Sequence, residues 1–492
     1  MQAVQGAQGC PVFLFDVCAV CCTFARMKNY CTVFLTIIFA GIISFSSVRG
    51  QTDTTAFEIL SRWDNDTLPT GLGSLRVQYS SCWGMAVNGH EYAIAGGTQK
   101  IIVLDVTDPY HPFEAASFRG SATTIREFKS YKNRLYGVAG GGTEGLSIID
   151  FSKAPDTIKR TYYSNALFNY SHTITLDTVS GRIYLNGGSD APDGLTVLDV
   201  SKNPDVPEFL ARAPLPSGSV HDSYVRHDTI YASSGYAGLI VYDFKTPRAP
   251  VEIARLKTGG YNHNSWPVRD GSYLYYTEEI PEGRPVRIVD LRRLNQGELE
   301  EAGSFLRRGL PLTVFSAPIP HNLYIRDHLL FVSQYEDGLL AYDISNPVSP
   351  VFLGVCDTHP ENTVYNGYYG NWGNYPWLPS GNIVTTDMQN GVFMVRLKKS
   401  VATKVPAFSQ VDCIVAPQPF SSQLQFRLAG DVQSMYRWQL SDVNGKSFLA
   451  GTTAPGQQEI AVNVEHLCDG IYLLRLTDDQ GHQIVRKVIK QR

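Results

Sequence analysis

Four short stretches of the chain each place one histidine at the head of an apolar or aromatic run: "SHTIT" from 171, "VHDSY" from 220, "NHNSW" from 262 and "PHNLY" from 320. The chain has 11 histidines, so four in equivalent local settings suggest a shared duty for His172, His221, His263 and His321. Asp222, Asn264 and Asn322 follow three of them directly, and Asn374 occupies a comparable place further on. Imidazole beside carboxylate is the usual ligand set of zinc, manganese, iron or nickel, whereas calcium prefers oxygen alone. The four histidines are the candidate metal ligands, for one divalent ion. Because they come from separated segments, no local rule such as H-E-x-x-H applies. The competing reading is structural, each imidazole capping its neighbour by donating to a backbone carbonyl.

Such residues meet only if the elements carrying them converge. An apolar run ending in Asp, usually with Pro soon after, recurs as "IIVLDVTDPYHP", "LSIIDFSKAPD", "LTVLDVSKNPDVP", "LIVYDFKTPRAP", "VRIVDLRRLN" and "LLAYDISNPVSP". It places Asp105, Asp150, Asp199, Asp243, Asp290 and Asp343 at a period of roughly 45–50 residues. A seventh unit, "GVFMVRL", has Arg396 where Asp is expected. Each unit reads as four short strands joined by Asp, Gly or Pro turns, the arithmetic of a β-propeller blade. The repeated Asp reads as a turn-former accepting backbone N–H bonds. First strands are expected to begin near Cys82, Thr123, His172, His221, His263, His321 and Asn374. "AFEILSRW" at 56–63 resembles a fourth strand, and completes the last blade in this reading.

The fold class is therefore all-β: a seven-bladed β-propeller over 51–400 and a small C-terminal β-sandwich over 401–492. In a propeller the first strands line the central channel, so the four histidines are expected at one mouth. Second-strand ends add Glu278, Glu279, Gln334, Tyr335 and Asp387, while Trp83 and Arg126 stand for the first two blades. A long connection between the third and fourth strands of blade five is expected at 291–319. The aromatic stretch "ENTVYNGYYGNWGNYPW" is expected to roof the same mouth with Tyr365, Tyr368, Tyr369, Trp372 and Trp377. His111 and His359 read as surface residues.

Bulk properties narrow the partners. A net charge of −4 supplies no basic field for nucleic acid or anionic membrane. Charged residues are 18 %, with 43 Gly and 27 Pro, which suits a turn-rich β chain. "MKNYCTVFLTIIFAGIISFSSVRGQ" from Met27 has the form of a secretory signal peptide cut before Gln51, with residues 1–26 as an upstream extension. Its apolar core is shorter than the roughly 20 residues of a membrane span, the alternative reading; no span is expected in the mature chain. Of nine cysteines, Cys82, Cys356, Cys413 and Cys468 remain after cleavage, and Cys413 with Cys468 is an open possibility for a disulfide.

The Asp-ended strands followed by Ser/Thr-x-Pro-x-x-Pro resemble the LVIVD repeat, and 72–397 resembles the choice-of-anchor B family of extracytoplasmic propellers. "VHD", "NHNSW", "TEE", "PHNLY" and "SGNIVTTDMQNGVF" match recurring motifs of that family, whereas "SHTIT" departs from its usual His-Asn. The resemblance implies no defined reaction. Gly470-Ile471-Tyr472, the turn at Gly481 and the basic run Lys487 to Arg492 resemble the type A sorting domain of the Bacteroidetes type IX secretion system. Pro417-Gln418-Pro419 stands where Pro-Asn-Pro is usual. That resemblance implies Sec export through the periplasm, engagement of the type IX machinery, and a secreted or outer-membrane surface location. A carbohydrate-binding or packing sandwich is the alternative for this segment.

The expected function is an exported propeller binding a ligand or protein partner at a histidine-lined channel mouth. Its candidate residues are His172, His221, Asp222, His263, Asn264, Glu278, His321, Asn322, Gln334, Tyr335, Trp372 and Asp387. Two alternatives remain: a metal-dependent hydrolase or lyase with Glu278 or Asp387 as base, and an inert structural module. No phosphate loop or G-x-S-x-G elbow is present.

Overall fold

A computed structural model of the chain describes residues 56–398 except 315, and 412–491 except 430–434, 443–446, 455 and 478–482. The expected extension and signal peptide at 1–50 lie outside the described residues. No helix among the described residues is long and apolar enough to cross a membrane.

Seven four-stranded antiparallel sheets form the blades of a propeller. Six are built from consecutive strands, over 79–119, 126–164, 173–214, 222–256, 262–305 and 322–356. The seventh combines Asn371–Tyr375, Ile383–Asp387 and Gly391–Leu397 with the N-terminal strand Phe57–Trp63 as its outer member. Two-residue turns join first to second strands in blades one, two, four and six, and longer connections do so in the others. At Asn88 and Gly89 both φ values are positive, 51° and 82°, as a two-residue hairpin between Tyr79–Val87 and His90–Gly97 requires.

The recurring aspartates share one local device. Each accepts a hydrogen bond from the backbone N–H two residues on: Thr107 to Asp105 (2.9 Å), Ser152 to Asp150 (2.7 Å), Ser201 to Asp199 (2.7 Å), Lys245 to Asp243 (2.8 Å), Arg292 to Asp290 (2.9 Å) and Ser345 to Asp343 (2.7 Å). At the seventh position Arg396 instead pairs with Glu58 of the closing strand (2.9 Å).

The core is a ring of inter-blade contacts rather than one central mass. Phe128 and Phe151 pack on Ile94 and Val103 between the first two blades. Equivalent apolar clusters fill every following junction. The last, with Leu60, Val384 and Met394 against Ile102 and Leu104, joins blade seven to blade one.

Three expected boundaries shift. First strands start at Tyr79, Arg126 and Asn371 rather than Cys82, Thr123 and Asn374. The seventh matches the fifth: a bulge follows Asn371 as one follows Asn262, so Trp372 takes the place of His263. The long insertion of blade five is divided. Its fourth strand is Glu300–Phe305, and the extended connection over 306–321 leads instead into blade six.

In the C-terminal segment, Asp412–Val415, Gln423–Ala429 and Glu459–Asn463 form one sheet, and Ser447–Thr452, Arg437–Asp442, Gly470–Thr477 and Gln483–Lys490 form another. Leu424, Phe426, Leu440, Leu474, Leu476 and Val488 are buried in one cluster, as expected for a sandwich. No disulfide joins Cys413 and Cys468: the first is buried in that cluster, while the second is exposed ahead of Gly470.

Candidate functional site: an imidazole ladder in the channel

The first strands bring the four histidines into a continuous stack. Ring centroids lie 4.3 Å apart for His172 and His221, 4.2 Å for His221 and His263, and 4.2 Å for His263 and His321. Trp372 extends the row, 4.8 Å from His321, and Tyr335 lies 4.6 Å from the same ring. Beyond them an apolar cluster of Val77, Ile319 and Met388 packs on Tyr335 and Trp372.

Backbone carbonyls orient the rings. His221 Nδ1 lies 3.1 Å from His263 O, and His321 Nδ1 lies 2.6 Å from Trp372 O. A carbonyl can only accept, so both Nδ1 atoms carry the proton and both Nε2 atoms offer a lone pair. The equivalent carbonyl for His263 is that of His321, which accepts from Thr277 Oγ1 at 2.7 Å. His263 Nδ1 makes no hydrogen bond. Amides and hydroxyls brace the strands beneath. Asp222 accepts from Thr173 Oγ1 (3.0 Å) and Asn264 Nδ2 (2.7 Å), Asn264 Oδ1 accepts from Leu323 N (3.0 Å), and Asn322 Nδ2 donates to Trp372 O (3.1 Å).

Two carboxyls complete the site, Glu127 buried and Glu279 partly buried. Glu279 Oε2 is 3.8 Å from His263 Nε2, and Tyr335 Oη donates to Glu279 Oε1 at 3.2 Å. Glu127, on the first strand of blade two, faces the same cavity as the four histidines, Lys129, Asp222 and Tyr324. This cavity measures ≈ 10 Å³, enough for about one water-sized occupant.

Burial keeps the cluster uncharged. It drives His172 and His321 down to about 3 and His221 to about 4, against the hydrogen bonds to carbonyls at His221 and His321; His263 falls well below the ordinary imidazole value. Burial raises Glu127 and Glu279 to about 7, opposed at Glu127 by Lys129 and at Glu279 by the Tyr335 hydroxyl. These shifts give stability a definite pH dependence. An unfolded chain protonates each imidazole near 6.5 while the folded ladder does not, so stability falls as pH drops from about 6.5 towards about 4. The two carboxyls act oppositely between about 7 and 4.5, because there the folded state binds the extra proton, and they soften the decline. His172→Asn should flatten the slope by up to one proton, about 1.4 kcal/mol per pH unit between pH 6 and 4.5. Urea unfolding at a series of pH values, with chelator present, measures this; an unchanged slope would place His172 in contact with solvent protons.

Several expected members stand elsewhere. Glu278 is fully buried but turned away, accepting from Gly260 N and paired with Arg284 (3.2 Å) and Arg287 (3.5 Å). Neighbours on a strand face opposite sides, so Glu279 reaches the ladder and Glu278 does not. Gln334 donates to Arg307 O (2.9 Å) and Asp337 Oδ2 (2.5 Å). Asp387 accepts from Thr358 Oγ1 (2.8 Å) and lies 3.3 Å from His359 Nδ1, so His359 is buried rather than a surface residue. Arg126 is buried in an ion pair with Glu144 at 2.7 Å. Tyr365 is buried against Asp337, and Tyr369 lies 6.2 Å from His359. Trp83 and Trp377 belong to the other end of the channel, 6.1 Å from one another. Of the expected roof, Trp372 joins the row and Tyr368 packs 5.2 Å from Tyr335. Glu127 was not singled out from sequence. The available signal was "REFKS", in which Glu127 and Lys129 alternate on one face of an inner strand, as Asp222 does in blade four.

Comparison with known proteins adds two matches. Residues 322–358, the sixth blade, match the LVIVD repeat. Residues 415–491 match the secretion system C-terminal sorting domain. No curated protein matches. Among solved structures, the crystal structure of a functionally unknown protein from Desulfotomaculum acetoxidans DSM 771 is similar at 14 % identity, over 59 % of this chain and 90 % of that one, with a TM-score of 0.43. The chain thus carries an LVIVD repeat within its propeller and a C-terminal sorting domain of the type IX secretion system, which directs it to the cell surface or the extracellular space.

Proposed function

We propose that this exported propeller is a non-catalytic surface binding protein whose imidazole ladder holds one divalent transition-metal ion. The ligands are His221 and His263 through imidazole nitrogen and Glu279 through its carboxylate. The observation that carries this reading is their convergence: one ligand atom from each lies within 4.8 Å of the others. A tetrahedron of 2.0–2.1 Å bonds separates ligands by about 3.3 Å, a distance reached by small side-chain rotations. Two further features support it. The carbonyl-bound Nδ1–H of His221 leaves Nε2 as the nitrogen able to ligate, the arrangement usual for ligating histidine. Glu279 is a partly buried carboxyl whose protonated form burial favours, so a bound cation would take the place of that proton.

Nitrogen with oxygen suits zinc, manganese, iron or nickel. The cavity beside the imidazole row, which Glu279 does not line, has room for about one water and none for an organic substrate. The hydrolase or lyase reading also loses its two expected bases, since Glu278 and Asp387 are engaged elsewhere. Metal analysis of the full mature chain, loaded with zinc and dialysed, should find about one equivalent. A His221→Ala, His263→Ala double variant and Glu279→Gln should each lose it while retaining a cooperative unfolding transition. Retention of metal by both folded variants, or none in the loaded parent, defeats the assignment.

A further inference from the structure

At the opposite end of the same channel lies a second, larger concavity that the histidine ladder does not use. Tyr324 lines the imidazole cavity and also packs edge-on against Trp266 (5.0 Å) and Trp377 (5.3 Å), closing the channel between the two ends. On the far side of this closure, Trp83, Trp266, Trp377 and Tyr224 wall a pocket of ≈ 320 Å³, within the range of small-molecule sites. Trp266 and Trp377 lie 5.2 Å apart and tilt by only 31°, forming a nearly continuous aromatic surface, while Tyr224 meets Trp266 edge-on at 4.7 Å.

The polar groups around this wall are mostly donors. Lys129 sits over the Trp83 ring, its Nζ 4.5 Å from the centroid, and Arg226 is exposed at the rim. The pocket's carboxylate, Asp177, is committed to Val179 N (3.0 Å), Ser180 Oγ (3.1 Å) and Asp228 N (3.0 Å). Ser130 Oγ accepts from Trp83 Nε1 at 2.9 Å, which leaves its own proton to donate inward, and Thr178 is exposed beside it.

We propose that this mouth binds a single acidic sugar ring, a hexuronate. An aromatic wall recognises a ligand with a flat apolar face, as a pyranose presents through its C–H bonds. Lys129 and Arg226, each with donors left beyond one bond to a backbone carbonyl, outnumber Asp177, whose oxygens are already engaged, and this balance favours an anion. Hydroxyls at the edge recognise a polyol. A hexuronate combines all three features in a body that fits the volume.

Calorimetric titration of the full mature chain with D-galacturonate, with D-galactose and benzoate as comparisons, tests the assignment. Galacturonate should bind with Kd on the order of 1 mM and quench tryptophan fluorescence. Galactose, lacking the charge, and benzoate, lacking the hydroxyls, should each bind at least about tenfold more weakly. Lys129→Met and Arg226→Gln should each weaken galacturonate binding severalfold, and Trp266→Ala should abolish it. Because Trp266→Ala also disturbs packing, the two charge variants carry the decision. The histidine double variant and chelator should leave binding unchanged, which separates this site from the metal site. No binding of galacturonate, equal binding of galactose, or tighter binding of benzoate overturns the proposal.

Discussion

A mature chain shortened to begin at Asp64 should lose its single cooperative unfolding transition and aggregate. The strand removed, Phe57–Trp63, is the outer strand of blade seven, paired from Phe57 with Leu397 to Trp63 with Val392. Its loss leaves Gly391–Leu397 as an unpaired edge, the arrangement that invites strand addition from other chains. Two apolar junctions are also opened. Phe57 packs in the cluster between blades six and seven, and Leu60 in that between blades seven and one. Burying each side chain contributes about 1.5–3 kcal/mol, and the ladder and remaining contacts add to that, against a total stability of about 5–15 kcal/mol. Point variants separate packing from pairing. Leu60→Ala should cost about 2–3 kcal/mol, whereas Ile59→Ala, on the face that is 52 % exposed, should stay within about 0.5 kcal/mol. Urea unfolding followed by tryptophan fluorescence reads all three. A shortened chain with the parent's midpoint would show that the ring is held without this strand.

What the sequence reveals about such a molecule follows from what repeats. Period and strand count recur in every blade and the Asp turn in six of the seven, and all rest on local chemistry, which is why six carboxylates make the same bond two residues downstream. The four histidines were legible for the same reason: equivalent positions on symmetric elements must converge. Features that depend on a single residue's facing were not. Glu278 and Glu279 differ by one position, and the alternation of a strand sends one to Arg284 and the other to His263. Trp377 follows the first strand of its blade, so it emerges at the far end of the channel; a reading that kept the aromatic stretch together as one roof lost that distinction. Arg126 opens its strand beside the channel, but its partner Glu144 lies in an irregular connection that no period predicts.

That pair should show the largest coupling in the molecule. Arg126 and Glu144 side chains are each 1 % exposed, and Nη1 donates to both carboxylate oxygens at 2.7 Å. The guanidinium also donates to Gly97 O (2.9 Å) and Ser121 O (2.5 Å), while Glu144 accepts from Ser121 N (2.7 Å), so both charges are almost fully satisfied. Removing either partner leaves the other as an uncompensated buried charge. Glu144→Ala and Arg126→Met should each cost about 3–5 kcal/mol. The double variant should cost far less than their sum, because most of each single loss is the stranded charge rather than the bond itself. It should not recover the parent's stability, since methionine cannot serve the Gly97 and Ser121 carbonyls. Urea midpoints of the four proteins give the coupling directly. Strict additivity would mean that water reaches the pair. The ion pair would then be a solvated accessory of blade two, and the bond from Arg126 to Gly97 O would be the part of its network that still ties it to blade one.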